Sequence, residues 1–212
     1  MLLRNPSLLQ TIRHYAFSAA WNPRKHPLNK YVFLPAIQSD QGVIMDLSLD
    51  GFIKAEPHSV AVGMTRESSM ELFEYMVASS LYWPYSIKVI EKATGEPIGF
   101  RLMSVVHKDS SLNYEPFEFD ISKQDEDVQI IAGIIDGLKG ALWSKVPDAQ
   151  KVLHRDITFE EEFDGIASEA SSYANQKLLA KNGYKKLLDS KKEMYFRQDR
   201  MPIIFPDETE SM

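Results

Sequence analysis

His154, Arg155 and Asp156 stand in the order found in the catalytic loop of protein kinases, where the aspartate accepts a proton from the attacking hydroxyl. That chemistry also needs a Gly-rich loop, a strand lysine and a downstream asparagine, and none lies at usable spacing. Arg155 and Asp156 are therefore read as solvent-facing strand residues. The five histidines, His14, His26, His58, His107 and His154, lie far apart. With no H-E-x-x-H pair among them, no metal site is expected. A G-x-S-x-G elbow, a P-loop and a G-x-G-x-x-G turn are all missing, which removes the common hydrolase, NTPase and dinucleotide chemistries. Tyr82-Trp83-Pro84-Tyr85 sets three aromatics beside a proline. Such a cluster either walls an apolar substrate or seals the end of a core, the second being the commoner use of buried rings. Glu160-Glu161-Glu162 would repel a phosphate instead of holding it.

The elements that must position these residues follow from periodicity. Residues 22–58 are rich in Pro, Asn and His and read as loops with short strands at Tyr31–Leu34 and Val43–Met45. Ser59–Thr65 reads as a strand. A helix follows, with Ser68-x-x-Glu71 as its capping box and Leu72, Phe73, Met76 and Val77 on one face. Ser86–Lys92 and Ile98–His107, joined by a Gly95-containing connector, predict a hairpin. Asp109–Lys123 is polar and reads as a loop. Glu126–Lys145 predicts a long helix on Val128, Ile131, Ile134, Ile135, Leu138 and Leu142. Gly133, Gly137 and Gly140 inside it cost about 1 kcal/mol each. The shared face of Gly133 and Gly137 predicts close packing on a neighbour. Lys151–Phe159 and Gly165–Ser168 read as strands. Ser171–Asn182 reads as a Ser-capped helix with Lys177, Lys181 and an exit Gly183. Met194–Arg197 reads as a last strand.

The chain has 212 residues, 44% apolar and 25% charged, the composition of one soluble domain with a real core. A net charge of -6 argues against a nucleic-acid binder. Without cysteine there is no disulfide, thiol nucleophile or thiolate site. No apolar run reaches the length of a membrane span. Charge is uneven. No Asp or Glu precedes Asp40, whereas Arg4, Arg13, Arg24, Lys25 and Lys30 do. With Leu8, Leu9, Ile12, Tyr15 and Ala16 at helical spacing, residues 1–30 have the composition either of a mitochondrial transit peptide or of a basic arm. The first reading predicts the mitochondrial matrix, the second the cytoplasm. Residues 201–212 read as an acidic tail.

The segment Gly165-Ile-Ala-Ser-Glu-Ala-Ser-Ser-Tyr-Ala-Asn-Gln-Lys-Leu-Leu-Ala-Lys-Asn-Gly-Tyr184 resembles the C-terminal signature of the GNAT superfamily of acyl-CoA N-acyltransferases, in its divergent arylalkylamine-type branch. The upstream order of strand, helix, hairpin, helix and strand resembles the first half of that fold. The resemblance covers roughly Ser59 to Phe196 and places the domain at 31–200. It implies an α+β fold, a twisted and mostly antiparallel sheet flanked by helices. It also implies acetyl-CoA as cofactor, no metal, and a small amine as acceptor. Asn175 takes the position that contacts the pantetheine arm. Backbone N–H groups around Ile157 to Phe159 take the position that holds the thioester carbonyl.

Two departures qualify what the resemblance implies. The family's strand continues into an R/Q-x-x-G-x-G/A turn and a helix that cradle the CoA pyrophosphate. Here six residues, Glu160 to Gly165, separate Phe159 from Ile166, with no glycine between Gly140 and Gly165. That cofactor-loop helix is expected to be missing. A parallel return needs about ten to twelve connecting residues. The strands at 151–159 and 165–168 are therefore expected not to be adjacent and parallel. The second departure is Leu179, which stands where many members carry the tyrosine that protonates the leaving thiolate. No general base carries over, and Glu169 reads as a carboxylate favouring a helix N-terminus. Three readings stay open: an N-acyltransferase, a non-catalytic binding relative, and a shortened form of a longer transferase.

Overall fold

The computed structural model describes residues 30–154, 166–167 and 173–186. Strand β1 (Tyr31–Pro35) leads into helix α1 (Gln41–Asp46), which continues as a π-helical segment Leu47–Phe52 and a closing turn Ile53–Ala55. Helices α2 (Pro57–Val62) and α3 (Arg66–Leu81) follow, then strands β2 (Ile87–Glu91), β3 (Pro97–Arg101) and β4 (Ser104–His107). Helix α4 (Glu126–Lys145), strands β5 (Lys151–His154) and β6 (Ile166–Ala167) and helix α5 (Tyr173–Lys181) complete the order. The leader, the strand expected at Met194–Arg197 and the tail lie outside the described residues.

Among the described residues two three-stranded sheets form, β1-β2-β3 and β4-β5-β6. All pairings are antiparallel except β5 with β6. The expected hairpin is β2–β3, turned at Gly95 with φ +74°, a conformation that costs glycine least. Its second run does not continue to His107 in one piece. The Ser86 hydroxyl accepts from the Met103 N–H at 3.0 Å and takes that group out of the ladder. After this break, β4 joins the second sheet.

Two expected strands are helices. Val43–Met45 lies in α1, where Ile44 is fully buried against Ala36, Val77 and Leu81. Ser59–Thr65 falls largely in α2, because Glu56 caps that helix. Its carboxylate accepts from the His58 N–H at 3.1 Å and the Ser59 N–H at 2.6 Å, Pro57 opens the first turn, and Gly63 at φ +77° closes it. Cap chemistry outweighs the strand preference of Val60 and Val62. The cap of α3 is Thr65, three residues ahead of the expected Ser68, with Ser68 filling the reciprocal place. Helix α4 matches its expected bounds. Its glycines do not pack as expected: all three are exposed, and a Cβ added at Gly133, Gly137 or Gly140 meets nothing within 4 Å.

The core is built around α3. Val77 and Leu81 meet α1 and the end of the first sheet through Ile44, Phe100 and Leu102. Phe73 meets Leu49 and Ile53. Helix α2 packs on α4 through Val62 and Ile134. Tyr85, Met103 and Val105, with Trp83 beside them, close the end where β4 departs. Of the aromatic run, Tyr85 and Trp83 thus seal the core, while Tyr82 stays 54% exposed. No described helix is long and apolar enough to cross a membrane.

Candidate functional site

The second sheet carries the residues of interest. Strands β5 and β6 are adjacent and parallel, with Leu153 opposite Ile166 and His154 opposite Ala167. This overturns the expectation that they could not be neighbours. The expectation rested on a strand running unbroken to Phe159 and a six-residue return. The residues that pair with Ile166 and Ala167 are instead Leu153 and His154, farther back in the chain, and the connection, residues 155–165, lies outside the described residues. Ile157 and Phe159 fall in this connection, outside the described residues, as do Arg155, Asp156 and Glu160-Glu161-Glu162.

Helix α5 follows β6 and contains Asn175 as its third residue, placed by its backbone. Its exit is defined atom by atom. Gly183, at φ +87°, donates to the Ala180 carbonyl at 3.1 Å, and Tyr184 N–H donates to the Leu179 carbonyl at 3.1 Å. These two bonds make a Schellman closure, in which the residue after the cap must be left-handed. The Asn182 amide also donates to the Leu178 carbonyl at 2.8 Å. The Gly-Tyr pair read from sequence as a helix exit therefore performs that task. Leu179, where the family's tyrosine would stand, is half-buried.

Helix α5 follows β6 in the chain, and residues 168–172 between them lie outside the described residues. Grooves of about 430 and 460 Å³ run along α3 and share Met70 and Glu74. Asp46, Glu67, Glu71 and Asp125 line them as well, so CoA phosphates would be repelled there.

Some ionisable groups escaped the sequence reading. Glu56 is buried, with its carboxylate 3.2 Å from the His58 Nδ1. The signal was Glu-Pro-His, an acid immediately before a helix-opening proline. Tyr75 on α3 is held above the ordinary phenol value, chiefly by burial, with Glu115 adding to the shift. Asp120 falls to about 2, because the Ser122 hydroxyl and then Lys123 bond its charged form. Among the described residues no group of three or more His, Asp or Glu is placed to hold a metal.

No protein-family model matches the sequence, and no curated protein is significantly similar to it. Solved structures do match. Arylalkylamine N-acetyltransferase 2 from Aedes aegypti superposes with a TM-score of 0.61 at 18% identity, covering 85% of this chain and 94% of that one. The mosquito arylalkylamine N-acetyltransferase like 5b gives 0.63 at 10% identity, covering 84% and 94%. The C-terminal condensation domain of Ebony, in complex with beta-alanyl-dopamine, gives 0.60 at 16% identity, covering 82% and 91%. The chain therefore has the GNAT-type acetyltransferase fold, with the mixed helices and mostly antiparallel sheets that the resemblance implied.

Proposed function

We propose that this chain transfers an acetyl group from acetyl-CoA to a small amine, with the acyl group delivered at the ends of β5 and β6. The observation that carries this reading is the parallel β5–β6 pair followed by α5 and its Gly183-Tyr184 exit. The likeness to N-acetyltransferase structures supports it. The chain order, in which α5 follows β6, supports the same reading. Asn175 would bond the pantetheine arm, and backbone N–H groups at Ile157 and Phe159 would hold the thioester carbonyl. When bound, the thioester supplies an acyl carbon activated toward an amine. The protein's own contribution is position: N–H groups aimed at a carbonyl oxygen stabilise the charge that develops there.

The test is calorimetric titration of the full chain with acetyl-CoA. Saturable micromolar binding, weakened in Asn175→Ala, is expected and would justify a screen of small amines. No binding by folded, monodisperse protein would overturn the assignment and leave a non-catalytic relative or a shortened form. For the acid-free leader of residues 1–30, the same proposal extends to import into the mitochondrial matrix. Loss of import into isolated mitochondria when Arg4, Arg13 and Arg24 become Gln would support it, and unchanged import would refute it.

A further inference from the structure

Tyr75, Ser79 and Tyr82 form one stripe along α3 and its cap, and residues 109–123 lie over it. Phe117 meets Tyr75 edge-on at 5.6 Å between ring centroids, and Phe119 meets it at 5.3 Å. Tyr114 stacks on Tyr82 at 3.7 Å, with 8° between the rings. Among the described residues, no hydrogen bond from 114–119 to α3 accompanies these contacts.

Both ends of the segment are pinned separately. Asp109 accepts from the N–H and the hydroxyl of Ser111, and Asp120 from the N–H and the hydroxyl of Ser122. Gln124, beyond the second turn, donates to Glu71 on α3 at 3.0 Å. On β4, the His107 N–H donates to the Asn113 side chain at 2.8 Å.

Among the described residues two buried polar atoms have no hydrogen-bond partner, Ser79 Oγ and His107 Nδ1. The Ser79 hydroxyl lowers the Tyr75 phenol slightly, yet its geometry falls short of a bond. Ser79 stands one turn from each of the two tyrosines that hold the segment, and His107 adjoins the residue that anchors its start. Leaving buried polar atoms unpaired disfavours the closed arrangement, and opening would let water reach them.

We propose that residues 109–123 are a strap that lifts from α3 as a unit, pivoting on its two Asp-Ser turns and exposing Tyr75 and Ser79 while both sheets stay folded. The ring contacts are its latch and the unpaired atoms its bias toward opening. Segments held by few hydrogen bonds and bounded by fixed ends open with less free energy than the global unit.

The natural absence of cysteine gives a direct test. Ser79→Cys places the sole thiol beneath the strap. In native buffer its labelling by a thiol reagent is expected to run far faster than global unfolding and to be insensitive to low denaturant. Adding Phe117→Ala is expected to speed it about ten-fold. Labelling only at the global unfolding rate would overturn the proposal, as would no effect of Phe117→Ala. A second measurement needs no substitution. By NMR-detected hydrogen exchange, the His107 amide, which reports strap attachment, should exchange through a smaller opening than the Lys108 amide, which donates to Gln150. Exchange of the two in step would refute the strap.

Discussion

The two sheets are built to different standards. In the first, β1 and β2 match five residue pairs, β3 follows β2 through a tight turn, and the packed side chains of α1 and α3 support one end. In the second, among the described residues, β4 and β5 match four pairs and β5 and β6 two, and a loop and α4 separate β4 from β5 in the chain. Of the residues proposed to hold the cofactor, Asn175 lies on α5, which follows this sheet in the chain, and Ile157 and Phe159 lie outside the described residues. The junction between the sheets is local. The Ser86 hydroxyl bonds the Met103 N–H on one side and the Ser80 carbonyl, at 3.1 Å, on the other.

The sharpest way to break this comparison is to empty the core under the first sheet. Ile44→Ala is expected to destabilise the whole protein by about 2–5 kcal/mol in urea unfolding, with one cooperative transition. A second transition left unshifted would mean that the halves fold independently. Next comes the junction. Ser86→Ala strands the Met103 N–H and is expected to cost about 1–3 kcal/mol. It should also weaken acetyl-CoA binding more than an equally destabilising core change does. Smaller effects test individual backbone sites. Gly137→Ala on α4, where an added Cβ meets nothing, should gain stability of up to about 1 kcal/mol. Gly183→Ala should lose about 1 kcal/mol, since its φ of +87° disfavours a side chain.

The least effect concerns pH. Lys88 bonds Asp40 at 2.6 Å and holds that carboxyl below its ordinary 3.8, the hydrogen bond being the main cause. A lowered folded value means that the pair's stabilisation is present above pH 3.8 and fades as pH falls through the folded value. Lys88→Met should therefore flatten the acid limb of the stability curve and leave the neutral one nearly parallel.

What was legible in the sequence was strongly periodic or punctuated by glycine. Helix α4, the β2–β3 turn at Gly95 and the exit at Gly183 each have a local cause, so local reading found them. The runs Val43–Met45 and Ser59–Thr65 were misread because Val43, Ile44, Val60 and Val62 favour strands, while their helices depend on the tertiary burial of Ile44 and on the Glu56 cap. The β5–β6 neighbours were missed for a different reason: the spacing was counted from Phe159, whereas the parallel pairs form at Leu153 and His154, farther back in the chain. Of the proposed site, the helix and its exit were legible, whereas the strap was hidden, since nothing in Asp109–Lys123 alone says that its rings lie on Tyr75 and Tyr82.

The connection between His154 and Ile166 has one more consequence. Its flanking residues are held in register, His154 by β4 and Ile166 and Ala167 by β5. Lengthening a loop whose ends are already fixed costs only about 0.6 kcal/mol per doubling. Insertion of a Gly-rich segment between these anchors is therefore expected to leave the unfolding free energy within about 1 kcal/mol of its present value.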